Sequence, residues 1–364
     1  MATKYPIQEI PFEKMTEESF DCAEPTIYAV LKEGVRFEFL VKRERERERR
    51  AAVFGTGNLT IPREDWPYYS RHSWMNSIPY SCIYYFDPTL YLGPVHLAWC
   101  YGTNDRWYLR EIADILKIIL ERIGILPENT LMMGSSGGGF TSIMLATMLR
   151  TRCQAINPQF DFRRYKAQAV ESLKSVVLKP GEDWIEERAS AVAFMLSENY
   201  IPKMHILQNI LVEEDIEHHI LPMISNLCLA QAHCGYDRIR LDFYHHIDGH
   251  NGMPPKGKCL EYIQQDLEAP FPDDPEAQEL MCDAAYLLSG KNLTVRLKAG
   301  HAPQESPEYA YYLYRGNQVV EKTGYSRDTE KTYCDLLPGR YRVKYFVRIG
   351  QLKRSFTMGS ITVS

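Results

Sequence analysis

Two serines stand inside a run of glycines, "GSSGGG" from Gly134 to Gly139, directly after the apolar stretch Thr130–Met133. Loops of this kind serve three chemistries: phosphate cradling, dinucleotide binding and acyl transfer through an exposed serine. A phosphate-cradling loop needs Gly-Lys-Ser/Thr at its end, and no lysine follows here. The dinucleotide pattern GxGxxG fails as well, because serine stands where its second glycine belongs. The pattern that fits is GxSxG, over Gly134, Ser135, Ser136, Gly137 and Gly138. A serine between a strand and a helix must turn sharply to expose its hydroxyl, and small residues two before and two after permit that turn. "TLMM" before it and "FTSIMLATML" after it supply the strand and the helix. Ser136 is therefore the candidate nucleophile, with the Gly137 N–H at the helix start offered to a developing oxyanion. The competing reading is a tight turn packed against a sheet.

A nucleophilic serine needs a base, and the base needs an orienting acid. "YHHIDGHNGMPP" (Tyr244–Pro255) follows a strand-like stretch and offers three histidines. His245 and His246 suit strand positions. His250 lies in the Gly-flanked "DGHNG", where a mobile base belongs, and is preferred. Glu213, Glu214 and Asp215 fall between serine and histidine in chain order, and Asp248 is a weaker choice. Asp215 is favoured because a helix begins just after it, although a surface helix cap accounts for it nearly as well. His218 and His219 beside these acids suggest metal ligation, but no second ligand cluster accompanies them and no metal is assigned. A second oxyanion donor is expected in "FGTGN" (Phe54–Asn58), as the N–H of Thr56 or Gly57. His72, His96, His205 and His301 are assigned structural roles. No cofactor is required.

The elements that must hold these groups follow from periodicity. Phe37–Val41 and Arg50–Asn58 read as strands around the run "KRERERERR" (Lys42–Arg50). Its alternating sign suits a solvated strand edge or hairpin better than a nucleic-acid patch. Tyr80–Leu90 and Val95–Thr103 are rich in aromatic and branched residues and read as strands. Leu109, Ile112, Ala113, Leu116, Ile119, Leu120 and Ile123 recur at spacings of three and four, a helical face closed by Gly124 and Pro127. Further strands are expected at Cys153–Asn157, Lys203–Asn209 and Arg238–His245. Helices are expected at Phe140–Arg150, Glu217–His233 and Pro255–Leu267, with a polar helical insertion at about 160–200. Strands alternating with helices imply an α/β fold, a mostly parallel sheet covered on both faces, over residues 1–270. "EAPFPDDPEAQE" (Glu268–Glu279) marks a linker, taken as 271–290, and short aromatic-rich strands over 291–364 imply a small Ig-like β-sandwich.

Composition bounds the function class. The 364 residues are 45% hydrophobic and 24% charged, ordinary values for a soluble protein. A net charge of -5 gives no global attraction to nucleic acid or an anionic membrane. The nine cysteines are odd in number and none sits in a CxxC pair, which points to reduced thiols and a cytoplasmic location. The first 20 residues lack the apolar core of a signal peptide, and no apolar run approaches the roughly 20 residues of a transmembrane helix.

Taken together, "VFGTGN", "SRHSW", "DPTLY", "LAWCYGT", "GSSGGGF", "INPQ", "LQN" with Asp215 and His218, and "DGHNG" resemble the α/β-hydrolase superfamily. More closely, they resemble hydrolase-like proteins of bacterial surface-glycan loci and, distantly, glycan O-acetyltransferases of accessory secretion systems. The resemblance spans roughly Val53 to Asn251. It implies Ser136, an acid near Asp215 and His250 as the working set, and a glycan or small acylated substrate with a glycan-assembly protein as partner. Arg71, Trp74, Asp87, Trp99 and Tyr101 fall in these motifs, and aromatic faces beside an arginine suit a sugar ring and an anionic group. The alternative is that the aromatics fill the core and Arg71 pairs with Asp87; it is favoured for Trp99 and Arg71. The leading expectation is a serine-dependent carbohydrate esterase or glycan O-acyltransferase. A peptidase or thioesterase uses the same groups, and a catalytically silent binding or assembly protein of the same fold is the rival.

Overall fold

Apolar runs of four to eight residues become the strands of one nine-stranded sheet. In the computed structural model, which describes residues 5–15, 20, 22–45, 49–230, 238–269, 281–300, 306–316, 318–350 and 352–363, these strands are β1 (Ile7–Pro11), β2 (Thr26–Lys32), β3 (Val35–Lys42), β4 (Ala51–Phe54), β5 (Ser81–Tyr85), β6 (Thr130–Ser135), β7 (Arg152–Ile156), β8 (Lys203–Asn209) and β9 (Ile239–Tyr244). They lie in the order β1-β2-β3-β5-β4-β6-β7-β8-β9. Only β3 runs antiparallel to its neighbours; the other pairs are parallel. This is the α/β-hydrolase architecture that the motifs imply. The middle strands β4, β5 and β7 are buried at every position because helices cover both faces of a parallel sheet.

Helix α1 (Tyr108–Ile123) buries the predicted face and ends at Gly124, whose φ of 72° closes the last turn. Helix α2 (Gly137–Leu149) is buried through Thr147 on all sides, since it sits against β6, β7 and α1. The insertion forms a short 3-10 turn, Phe162–Arg164, and the helices Ala167–Val177, Glu186–Ala189 and Ala191–Ser197.

Several expectations change. Val95–Thr103 is irregular and mostly buried instead of a strand, with His96 exposed and Trp99 and Cys100 at positive φ. Its aromatic and branched residues reported burial, which a packed loop shares with a strand. The charged run bounds no hairpin, because β5 lies between β3 and β4. The strand expected over Arg50–Asn58 stops at Phe54, leaving the Gly-Thr-Gly segment as loop. Strands β1 and β2 had no counterpart in the sequence reading. Part of the expected linker, Met281–Ser289, is a strand; residues 270–280, His233, Cys234 and His301 lie outside the described residues.

The chain divides into two compact units, Met1–Phe271 and Pro272–Ser364. The second holds two antiparallel sheets. One is β10 (Met281–Ser289), β11 (Asn292–Gly300) and β14 (Glu330–Tyr333). The other joins β13 (Gln318–Lys322), β12 (Glu308–Arg315), β15 (Gly339–Ile349) and β16 (Leu352–Thr357), with β17 (Ile361–Val363) on β15. Leu293, Val295, Leu313, Val343 and Tyr345 from the two sheets share one core, which makes the unit a sandwich.

Candidate active site

The turn between β6 and α2 is tight enough to dictate its own sequence. Ser136 has φ 55° and ψ -124°, a strained conformation for a residue with a side chain. A Cβ on Gly134 would lie 2.1 Å from the Gly138 carbonyl oxygen, so only glycine fits there. A Cβ on Gly138 would meet the carbonyl oxygens of Gly55 and Thr56 at 3.1 and 3.3 Å, which places the loop after β4 directly against the turn. We expect Gly134→Ala to lose several kcal/mol of stability, within the range of severe steric substitutions. A wild-type urea midpoint in that variant would sink this account of the turn.

The C-terminal ends of β6, β8 and β9 bring three side chains into line. Ser136 Oγ lies 2.7 Å from His250 Nε2, and His250 Nδ1 lies 2.6 Å from Asp215 Oδ2. Gln159 Nε2 donates to Ser136 Oγ at 3.2 Å, leaving the serine hydroxyl to donate to His250 Nε2. Nδ1 then carries the proton and donates to the Asp215 carboxylate. Asp215 is 5% exposed, while Glu213 and Glu214 beside it face solvent. The helix carrying Asp215 starts at Glu213, earlier than expected, and takes a π-helical turn over Ile216–Ile220. Asp248 is exposed and lies 3.7 Å from His246 Nδ1, away from His250's partners.

The histidine loop is anchored by residues to which the sequence reading gave no role. Asn157 Nδ2, at the end of β7, donates to the carbonyls of His250 and Gly252 at 2.9 and 3.1 Å. Asn209 Nδ2, at the end of β8, donates to those of His246 and Gly249 at 2.7 and 2.9 Å. Asn209 N–H in turn donates to Asn157 Oδ1 at 2.8 Å. Each asparagine directly follows or ends an apolar strand, a position from which a side-chain amide can bond a loop's free carbonyls. Gln159 was likewise missed. The Trp99 indole N–H donates to its Oε1 at 2.5 Å, which turns Nε2 toward Ser136.

The expected oxyanion donors are gathered at the same turn. Gly137 opens α2, and Gly57 lies where a Cβ would be 3.4 Å from the Ser135 carbonyl oxygen. The Thr56 hydroxyl donates to the Tyr85 carbonyl at 2.7 Å, which pins the loop. Among the described residues, no acceptor takes up the backbone N–H of Gly137, Thr56 or Gly57.

The four expected substrate residues divide. Arg71 Nη2 donates to Ser135 Oγ at 2.7 Å, and its guanidinium lies over the half-buried Trp74 ring at 5.6 Å. Asp87 and Tyr101 are corrections. Asp87 is buried and its carboxylate accepts the N–H groups of Thr89 and Cys100, both at 2.8 Å. The Tyr101 ring is buried against Phe162 and Trp184, and its hydroxyl donates to Asn104 Oδ1. Both build the site's support and present no free polar atom to a ligand. The alternative pairing of Arg71 with Asp87 does not form. Trp99 is buried and stacks on Phe162 at 4.8 Å.

Beside Asp215 and His250 lies a cavity of about 270 Å³, walled in part by Arg164, Tyr165 and Lys166 of the insertion and by His218 and His219. His219 is 2% exposed and, among the described residues, its Nδ1 has no hydrogen-bond partner. Burial pulls its pKa down to about 4, against the raising pull of Asp215. The unfolded chain takes up this proton near the ordinary value of about 6.5, so the neutral imidazole's contribution is complete above that pH. It is lost as the pH falls toward 4. We expect His219→Phe to flatten that acid limb of the urea midpoint between pH 7 and 4; an unchanged limb would remove His219 as its source. Among the described residues, no three His, Cys, Asp or Glu side chains are grouped to hold a metal ion.

The chain matches no protein-family model and no curated protein. Solved structures of similar chain path include the capsule O-acetyltransferase of Neisseria meningitidis serogroup A, at 17% identity and TM-score 0.49, covering 66% of this chain and 96% of that one. A Pyrobaculum calidifontis esterase matches at 15% identity and TM-score 0.48, covering 70% and 87%. A glycosylation associate protein complex from Streptococcus agalactiae matches at 12% identity and TM-score 0.47, covering 68% of this chain but 47% of that one. The present chain thus spans about half of that last protein's chain. At these identities the likeness concerns chain path and assigns no chemistry.

Proposed function

We propose that this chain, an α/β-hydrolase by fold, is a serine-dependent acyl-transfer enzyme acting on a glycan-linked ester. The observation that carries the reading is the unbroken relay from Ser136 Oγ through the His250 ring to Asp215, at 2.7 and 2.6 Å. In this reaction Ser136 Oγ attacks the ester carbonyl carbon while His250 Nε2 takes its proton. The carbonyl oxygen becomes an oxyanion held by the N–H of Gly137 and by that of Thr56 or Gly57. As the intermediate collapses, His250 returns the proton to the departing alkoxide, which leaves as an alcohol and strands the acyl group on Ser136. Water or a sugar hydroxyl then attacks, His250 takes the proton of that nucleophile, and Ser136 is restored. Asp215 keeps the imidazole in the working tautomer and balances the imidazolium.

The first unit is read as the catalytic domain and the sandwich as a module that positions a chain-like substrate or a glycan-assembly partner. Cys22, Cys82, Cys100, Cys153, Cys228, Cys259 and Cys334 are free thiols, which suits a cytoplasmic location. No helix among the described residues is long and apolar enough to cross a membrane.

The test is release of acetate from O-acetylated mono- and oligosaccharides, with and without an acceptor sugar. Acetate release supports hydrolysis, and acetylated acceptor supports transfer. A folded protein that does neither, but binds the glycan, is the silent assembly protein. Gln159→Ala is expected to lower kcat/KM by about 10- to 100-fold, somewhat less than the loss of a full oxyanion donor. Trp99→Phe should cost less, since it only frees the amide to turn. Equal losses for the two would mean that packing, not amide orientation, is the common cause.

A further inference from the structure

The guanidinium of Arg71 is held at the reacting turn without an acid to balance it. Its Nη2 donates to Ser135 Oγ at 2.7 Å, beside the nucleophile, and touches Met253 Sδ at 2.9 Å, three residues beyond His250. The Trp74 face lies beneath it. Among the described residues it forms no ion pair, and its Nε and Nη1 donate to no protein atom. Its ionisable neighbours, Cys259, Tyr84 and Tyr68, are a thiol and two phenols. Burial pushes Cys259 up to about 11 and Tyr84 higher, so neither supplies a negative charge at neutral pH. Arg106 and Arg163, also partly buried, do have acid partners: Arg106 pairs with Glu111 at 2.6 Å, and Arg163 with Asp161 and Glu186 at 2.7 and 2.5 Å.

A guanidinium partly withdrawn from water without a counter-charge loses hydration that nothing replaces, and an arginine fork is suited to a carboxylate or phosphate. The backbone adds to this cost. Arg71 has φ 64°, an uncommon conformation for a residue with a side chain, held by the Trp74 N–H on its carbonyl at 2.8 Å. A strained, partly buried and uncompensated cation between the serine turn and the histidine loop is a subsite whose second half arrives with the ligand.

We propose that Arg71 binds a carboxylate or phosphate borne by the sugar that carries the acyl group, so that the substrate is an acidic glycan unit. This rests on the acyl-transfer reading for the position of the ester, but not for the anion site itself. The oxyanion would occupy the free Nε and Nη1 donors, with the sugar ring against Trp74 and its ester at Ser136.

The test compares O-acetylated glucuronic acid, its methyl ester and O-acetylated glucose 1-phosphate as substrates. The methyl ester removes the charge while keeping the ring and the acetyl group, and acetate release is read so that loss of its methyl group is not counted. Wild type is expected to favour the acid or the phosphate over the methyl ester by at least about ten-fold in kcat/KM, mostly through KM. Which of the two is preferred separates a uronate from a phosphate ligand. Arg71→Gln should bring the ratio near one and Arg71→Lys should keep part of it. Using a ratio cancels general damage to the turn. No charge preference in wild type, or an unchanged ratio in Arg71→Gln, overturns the proposal. A second arm needs no turnover: calorimetric binding of glucuronate, glucose 1-phosphate and glucose to Ser136→Ala, with and without Arg71→Gln. Anion-selective binding lost with Arg71 in a protein without esterase activity would uphold this site while removing the acyl-transfer reading. Turnover without charge preference would do the reverse.

Discussion

Ser136→Ala is expected to abolish labelling by a fluorophosphonate probe and to lower ester turnover by about 10⁵- to 10⁶-fold, the scale seen when a serine nucleophile is removed. His250→Ala should lose nearly as much, because Oγ is a weak nucleophile without the base 2.7 Å away. The double variant should be no worse than either single one, since the two groups act as one unit and their effects do not add. Whatever rate remains would come from the N–H groups around Gly137 and the loop after β4. Labelling that survives in Ser136→Ala would move the nucleophile elsewhere, with Ser135 the first place to look. Losses that multiply in the double variant would mean that His250 acts independently of Ser136.

Asp215→Asn should lower turnover by about 10⁴-fold while leaving the fold intact, because an amide at that position favours the wrong imidazole tautomer. Its oxygen lies 2.6 Å from His250 Nδ1, so the substitution keeps the shape and changes the hydrogen-bond polarity. Glu213→Gln and Asp248→Asn, which remove exposed carboxylates away from the ring, should stay within about two-fold of wild type, as surface substitutions generally do. A large loss on Asp248→Asn with a small one on Asp215→Asn would reassign the acid. The comparison discriminates because all three variants remove one negative charge, and only one removes a partner of His250.

The sequence carried some of this and not the rest for identifiable reasons. Strand–turn–helix is local, so "TLMM", the glycine turn and the following apolar helix named Ser136 without reference to any other part of the chain. The α1 face and β8 were legible on the same terms. The N-terminal strands were not: β1 is mostly exposed and short, and its pairing with β2 joins residues some 20 positions apart, as in Ile7 with Ile27. Val95–Thr103 misled because burial enriches the same aromatic and branched residues in a packed loop as in a strand.

What the sequence determined by itself is the set of chemically able groups and their order: a serine in a turn that tolerates only small neighbours, then acids, then a histidine between glycines. What only the tertiary structure decided is which of them meet. Glu213, Glu214 and Asp215 are adjacent acids between the serine and the histidine, with Asp215 preferred only on an expected helix start; the structure separates them because the helix beginning at Glu213 turns the third of them inward, to His250. Asp87 and Tyr101 were drawn to the site by their motifs, yet backbone N–H groups and a neighbouring asparagine take up their polar atoms. The alternative in which Arg71 pairs with Asp87 fails, since Arg71 reaches the Ser135 hydroxyl while backbone N–H groups take the Asp87 carboxylate. Contacts across separations of 35 to 114 residues set these outcomes. Such contacts depend on strand order and register, which the packing of the whole sheet determines.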